Sequence, residues 1–517
     1  MSGRLLRIAQ RVFVGREVAL ARRWQVKMED SSDTGRRAFA KALSVTPGVR
    51  QVVLGAMKDV RGEWKWIGRP TESLLRHHAA IAGGTGTGKT SWIFGVLMQL
   101  ADENRHPIIL YDAKGETAEL VLNLLVPRLV DMDGGEELLE RLRVVRVFDP
   151  HNVPLLNITL PEPGVPKEAQ AYGIASALEQ ALAELLGGRM HHVLIRCATL
   201  CIELDLPITQ LQEWLANPKS FLRDAEQSAD SSLREYARTG WPQENRESLR
   251  ALSARLNALL FWPDARLALC APGAISFADA LAQPGITVID VGSPPAGAER
   301  LARFFGAALL GKVVRAILSR AVTPETPPAI FVAEEIQETL GPEEARQLGR
   351  LLATARFKRT AVWLVNQSRS QLSAVDPGLV AAMRTNIGVQ VQFRTSPEDA
   401  AALAYMLPDD GKGEAARRDL IGSLTRLPQR HCYFAIRDAD LKAQLVLAPR
   451  IDFAALREQG ERLSQSLRQR INLGIAAIPR SELQDPPAHK NPVVEELDSR
   501  ISPESTAPGD CEFPSLG

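Results

Sequence analysis

The sequence predicts an α/β fold: a largely parallel sheet with helices on both faces, interrupted by an all-α segment. Three observations predict it. First, the apolar run "HHAAIAG" passes directly into a Gly-rich loop and then into "SWIFGVLMQLADE", so strand, loop and helix follow one another without a break. Second, short apolar runs alternate with helical stretches on both sides of the chain's middle, the pattern of strands joined by crossover helices. Third, strand signal almost disappears between about 166 and 272.

The elements follow in order. "VRQVVLGAM" and "EWKWIG" flank "KDVRG" and predict a hairpin in a short basic leader, residues 1–75. From 76 to 165 comes the first part of the sheet domain, with strands at "HHAAIAG", "PIILYDAKGE" and "LRVVRVFDP" and a helical "AELVLNLLVPRLV" between the last two. Residues 166–272 read as an inserted all-α domain. "IASALEQALAELL" places Ile174, Ala177, Leu178, Ala181, Leu182, Leu185 and Leu186 on one helical face, and "LPITQLQEWLANP" and "RESLRALSARLNALLFW" are further helices. Strand text returns from 273 to 450 with "ITVIDVG", "PPAIFVAEEIQ", "TAVWLVNQS", "NIGVQVQF" and "HCYFAIRD", and "ERLARFFGAALLGKVVRAILSR" is a long helix among them. Residues 451–479 are expected to form a helical segment. Residues 480–517 are Pro-rich and polar, the composition of a disordered tail.

Composition sets outer limits. The 517 residues are 45% hydrophobic and 24% charged, within the ordinary range of a globular chain. A net charge of +1 excludes a polycation, so nucleic-acid contact must use local basic surface. The cysteines at 197, 201, 270, 432 and 511 are odd in number and form no CxxC pair, which favours free thiols in a reducing cytoplasm. No apolar run is long enough to span a bilayer: the best, "LARFFGAALLGKVVRAIL", is broken by Arg303, Lys312 and Arg315. The first 25 residues carry Arg4, Arg7, Arg11, Arg16, Arg22 and Arg23. A solvated helix is the plainer reading, and a helix on a membrane surface or on nucleic acid is the other. The expectation is a cytoplasmic chain without a transmembrane span, with peripheral contact at the inner membrane as its extension.

The chemistry concentrates in four places. Gly83, Gly84, Thr85, Gly86, Thr87, Gly88, Lys89 and Thr90, with Ser91 behind them, fit G-x-x-x-x-G-K-[ST] between a strand and a helix. The glycines let backbone N–H groups curl around phosphates, and the helix that follows points its positive end at the same anion. Lys89 is then placed for the β- and γ-phosphates of ATP, and Thr90 for Mg²⁺. The second place is "AIFVAEE", where Glu334 and Glu335 follow an apolar strand. The first acid would hold Mg²⁺ and the second would orient the attacking water; Asp is the usual first acid, so Glu334 is a departure. The third is "WLVNQSRSQL", with Gln367 as candidate γ-phosphate sensor and Asn366 as the alternative. The fourth is "LATARFKRT", where Arg356 is either a finger reaching a neighbouring subunit's nucleotide or part of a solvated basic turn. "YDAKGE", with Asp112, Lys114 and Glu116, ends a strand on the edge where open α/β sheets meet ligands; a tight charged turn accounts for it equally well.

With these residues in view, the chain resembles the FtsK–HerA group of P-loop motors, and within it the conjugative coupling proteins of TraG/TraD type that serve type IV secretion. The matching pieces are "RHHAAIAGGTGTGKT", "YDAKGE", "VFDP" with Asn157, "FADALAQPGITVIDVG", the acid strand and "ARFKRTAVWLVNQSRSQL", over about 76–450. The resemblance implies a RecA-like P-loop NTPase core with an inserted all-α domain. It also implies a homo-hexameric ring with ATP between subunits, DNA in a central channel, and contact with a relaxase and type IV secretion channel components. It favours Arg356 and Gln367 as the family's arginine and glutamine. Coupling proteins usually begin with a membrane anchor, which this sequence is expected to lack.

The leading expectation is therefore an ATPase that drives DNA towards a transfer channel. A HerA-like motor partnering a nuclease is the second reading, although leader 1–75 is short for the β-barrel of that branch. A non-catalytic, ATP-stabilised DNA-docking ring is the third, against which Lys89, Thr90 and Glu335 stand. A small-molecule kinase would explain neither the Arg356/Gln367 pair nor the helical insertion.

Overall fold

The computed structural model describes residues 51–58, 64–116, 120–121, 135–149, 152–182, 188–271, 273–404, 413–437 and 444–448, with the strand pieces 26–27, 450–451 and 477–479. The basic first 25 residues, most of "AELVLNLLVPRLV", most of 451–479 and the tail from 480 lie outside the described residues.

An 11-stranded sheet organises the chain. Its strands are β1 (Gln51–Lys58), β2 (Trp64–Pro70), β3 (His78–Ala82), β4 (Pro107–Asp112), β5 (Leu142–Arg146), β6 (Gly285–Asp290), β7 (Ala329–Glu334), β8 (Thr360–Asn366), β9 (Ile387–Gln392), β10 (His431–Ile436) and β11 (Gln444–Leu447). They lie in the order β2-β1-β11-β10-β9-β3-β8-β7-β4-β6-β5. The run from β9 to β5 is parallel. β3, β4, β6, β7 and β8 are buried along their whole length, which is why they read as unbroken apolar runs.

The sheet is not parallel throughout. β10, β11, β1 and β2 extend it with antiparallel pairs. The predicted leader hairpin is thus part of the main sheet, joined to it where Leu447 pairs with Ala56. Its strand β1 is also held from the side: Val53 N–H donates to Gln99 Oε1 (2.8 Å), and Gln99 Nε2 returns a bond to the Val53 carbonyl (2.9 Å). At the far end of the segment expected to be helical, Ala477–Pro479 form a strand against Asn152–Pro154. A helix is disfavoured there because Pro479 has no N–H and pushes Ile478 towards extended backbone.

Both faces of the sheet are covered. On one, α1 (Lys89–Glu103) brings Trp92, Ile93, Val96 and Leu97 against β3, β8 and β1. On the other lie α2 (Lys167–Ala181), α3 (Gly188–Glu203), α4 (Arg246–Leu259), α5 (Glu299–Ser319) and α6 (Pro342–Thr354). Between 167 and 269 the described residues form helices joined by short turns, one of them a π-turn at Tyr236–Gly240, and no strand. Their apolar side chains run into the same hydrophobic cluster as α5 and the sheet, so no solvent layer separates the helical segment from the core.

That junction holds a buried ion cluster. Arg315 of α5 donates to both carboxylate oxygens of Glu162, at 2.9 and 2.7 Å. Its guanidinium lies over Gly173 of α2, where a Cβ would collide with it. Lys312, one turn earlier, is buried, and desolvation pushes its ammonium down to about 8 despite the nearby Glu162. Both partners of the Arg315–Glu162 pair are about nine-tenths buried. Removing one leaves the other charged and dry, so Arg315→Ala should cost about 3–5 kcal/mol of stability. Urea or thermal unfolding of the variant beside wild type checks this.

Candidate functional site

The loop between β3 and α1 is built by left-handed backbone at its glycines. Gly83, Gly86 and Gly88 have φ of +154°, +70° and +110°. A Cβ on Gly83 would lie 2.5 Å from Phe393 Cβ, and one on Gly88 would lie 3.0 Å from Arg430 Cα. The loop is therefore pressed against two distant segments. Gly84 N–H donates to the Arg394 carbonyl (2.9 Å), Gly83 N–H to that of Asn366 (3.3 Å), and Arg430 N–H to that of Thr87 (2.8 Å). Thr87 Oγ1 closes the turn on the Gly84 carbonyl (2.7 Å). Thr85 and Gly86 are exposed at the tip, while Thr90 and Ser91 are half-buried at the start of α1. Gly83→Ala combines a strained φ with a collision, and strain of this kind costs about 1–3 kcal/mol. It should lower the melting temperature and weaken nucleotide binding, both read by a thermal-shift titration.

Lys89 is buried, and its ammonium donates to the carbonyls of Gly83 (2.5 Å) and Gly84 (3.1 Å). Burial holds its pKa below the usual lysine value and Lys114 adds to that; Glu335, then Glu334, act in the opposite direction. Both acids thus act electrostatically on the same ammonium. Glu334 ends β7 and is buried. Glu335, also buried, has φ +51°, a left-handed conformation that is uncommon for a non-glycine residue. Its N–H is anchored on the Val365 carbonyl (2.8 Å), so the strained residue is fixed by β8. Gln337 Nε2 donates to Glu335 Oε2 (2.5 Å), and Lys114 Nζ lies 3.7 Å from the same oxygen.

Strand register lines up the polar ends. Ala82 pairs with Asn366, Val365 with Glu334, Glu334 with Asp112, and Asp112 with Asp290. Asp290, in turn, pairs with Arg146, whose Nε donates to Asp290 Oδ2 at 3.0 Å. Burial pushes the Asp290 carboxyl up to about 7, and Asp112 adds to the push while Arg146 opposes it. The strand ends thus form one polar edge running away from the Gly-rich loop, the edge on which open α/β sheets bind ligands.

Asn366 lies inside this arrangement and Gln367 at its rim. Asn366 is buried; its Nδ2 donates to the Ser368 carbonyl (2.8 Å), and its Oδ1 has no hydrogen-bond partner among the described residues. Gln367 is half-buried. Arg356 is not brought to the loop. It is exposed in the turn before β8, beside Phe357, which is 83% exposed. The seven residues of β8 separate that turn from the loop edge, roughly 20 Å at strand rise. Arg356 instead acts on His78 at the opposite end of β3, whose imidazole is pushed down to about 4, chiefly by burial and secondarily by this arginine.

Several neighbours of the loop were not read from the sequence. Asp290, farther along the same polar edge, lies within "ITVIDVG", and its place at a strand's C-terminal end was the available signal. The supports at Phe393, Arg394 and Arg430 carry no local signal, since they depend on which distant strands lie beside β3. Hard oxygen donors suit Mg²⁺, and the Thr90 hydroxyl and the buried Glu334 carboxylate are of that kind.

Comparison with known proteins agrees with this geometry. Residues 69–310 match the model of the family described as "Helicase HerA, central domain". Among solved structures, the plasmid coupling protein TrwB, in complex with a non-hydrolysable ATP analogue, is similar at TM-score 0.53 and 15% identity, covering 75% of this chain and 88% of that one. VirB4 of Thermoanaerobacter pseudethanolicus is similar at TM-score 0.52 and 13% identity, covering 80% of this chain and 99% of that one. No curated protein matches the sequence. The fold is that of the RecA-like P-loop ATPases, and the likeness read from the sequence, to HerA-type motors and coupling proteins, is the one found.

Proposed function

We propose that this protein is an ATPase that drives DNA translocation as a ring oligomer, a homo-hexamer of the coupling-protein kind, feeding DNA to a transfer channel. The observation that carries the reading is the Gly-rich loop itself, which folds Lys89 back onto the Gly83 and Gly84 carbonyls, with the buried strand-end acids Glu335 and Glu334 both acting electrostatically on that ammonium. In this reading the N–H groups of the loop and of the first turn of α1 cradle the phosphates of ATP. Lys89 leaves the carbonyls of Gly83 and Gly84 for the β- and γ-phosphates. Thr90 and Glu334 would hold Mg²⁺, which neutralises phosphate charge when bound. Glu335 accepts a proton from the attacking water. Asn366 or Gln367, at the end of β8, reports the state of the terminal phosphate to that strand.

Arg356 gives the reading its ring. It stands at the far end of β8 from its own loop, so the terminal phosphate it would stabilise belongs to a neighbouring copy. DNA as cargo rests on the resemblance to coupling proteins, as do a relaxase, a type IV secretion channel and peripheral attachment at the inner membrane. No described helix is long and apolar enough to cross a membrane. The match to the HerA central domain favours one second reading, a motor working with a nuclease.

The test is ATP hydrolysis by the purified protein with and without single- and double-stranded DNA. Stimulation by either form is the expected result. Slow turnover indifferent to DNA would favour a nucleotide that serves only as a clamp in a docking ring.

A further inference from the structure

We propose that Lys114, in the turn after β4, is a positioning residue that aims the Glu335 carboxylate; this rests on the reading of Glu335 as the base of an ATPase. Two ammonium groups act on Glu335. Lys89 is tied to the carbonyls of Gly83 and Gly84 and is needed by the phosphates. Lys114 is the one at ion-pair distance, 3.7 Å from Oε2. Gln337 donates to that same oxygen, so one hydrogen bond and one ion pair hold Oε2, and Oε1 is left for a substrate water.

Both ends of the Lys114–Glu335 contact start from rigid backbone. On one side, Glu335 sits in left-handed backbone bonded to Val365. On the other, Asp112 Oδ1 accepts the Lys114 N–H at 2.9 Å. Gly115 follows at φ +82°, where a Cβ would lie 2.8 Å from Asp290 Oδ1. Gly292 packs so closely on the Lys114 carbonyl that any side chain there would overlap it. Asp290 itself is held by the Gly292 N–H (3.0 Å) and by Arg146 (3.0 Å). The polar edge away from the loop thereby gains a role, in which Arg146 and Asp290 brace the turn and the turn presents Lys114 to the base. The Lys114 side chain is 36% exposed, so its loss opens no core cavity.

Misplacing a reacting group by about an ångström costs up to roughly a hundredfold in rate. Lys114→Ala is therefore expected to lower kcat for ATP by about 10- to 100-fold while KM for ATP stays within about twofold, with Lys114→Arg recovering most of the loss. Without nucleotide, the melting-temperature changes of Lys114→Ala and Glu335→Gln should be non-additive in the double variant, as for groups in contact. Wild type and Glu335→Gln are assayed beside them. Wild-type kcat in Lys114→Ala, with wild type itself active, overturns this proposal alone. A raised KM at unchanged kcat also overturns it, because Lys114 would then bind phosphate instead. Additive melting shifts count against the contact. A wild-type protein that does not hydrolyse ATP overturns the functional reading beneath it.

Discussion

Lys89→Ala should abolish ATP turnover and weaken nucleotide binding by at least about a hundredfold. The ammonium is the one cation of the loop itself, buried against the Gly83 and Gly84 carbonyls and under the electrostatic influence of the two acids. A charge-assisted bond from a buried ammonium to a phosphate oxygen is roughly twice as strong as a neutral one. A hundredfold corresponds to about 2.7 kcal/mol, within reach of losing such a contact in a partly dry site. Equilibrium binding of a fluorescent ATP analogue checks the affinity, and phosphate release checks the turnover. Circular dichroism of the variant separates loss of the contact from loss of the fold, since Lys89 also ties the loop to itself. A folded Lys89→Ala protein that still turned over ATP would remove the loop from the mechanism.

Glu335→Gln should behave differently. The amide keeps the size of the side chain and its place beside Gln337, but it cannot accept a proton from water. Nucleotide affinity should stay within a fewfold of wild type, while turnover should fall by about 10²–10⁴, the usual contribution of a positioned general base. Glu334→Gln serves as the comparison: a lost Mg²⁺ ligand should raise the Mg²⁺ concentration needed for half-maximal rate, which the Glu335 change should leave alone. A Glu335→Gln variant hydrolysing ATP at the wild-type rate would transfer the base role elsewhere, with the buried Asp112, paired with Glu334 in the sheet, as the neighbouring carboxylate.

Much of this architecture is legible in the sequence because parallel strands buried on both faces leave continuous apolar runs. "PIILYD", "AIFVAE" and "TAVWLVN" correspond to β4, β7 and β8 nearly residue for residue. The Gly-rich loop is legible because its chemistry is local: strand, glycines, lysine and helix are contiguous. What the sequence hides is lateral. Nothing near Gln51–Lys58 indicates that it pairs with Gln444–Leu447, almost 400 residues later. Such antiparallel strands alternate in burial, as His431–Ile436 does at its start, and resemble many surface hairpins. The alignment of Glu334, Asp112 and Asp290 likewise exists only after β7, β4 and β6 are placed side by side. The roles proposed for Gln367 and Arg356 rest on a resemblance and, for Arg356, on a proposed neighbouring copy; within one chain the two stand at opposite ends of β8.

The central claim, that hydrolysis at this loop moves DNA, is tested most directly by roadblock displacement. The protein is incubated with ATP and Mg²⁺ on a duplex carrying a triplex-forming third strand and, in parallel, on a biotinylated single strand capped with streptavidin. Release of either block that needs ATP and disappears with Glu335→Gln is the expected result. Brisk, DNA-stimulated hydrolysis that releases neither block would contradict the claim.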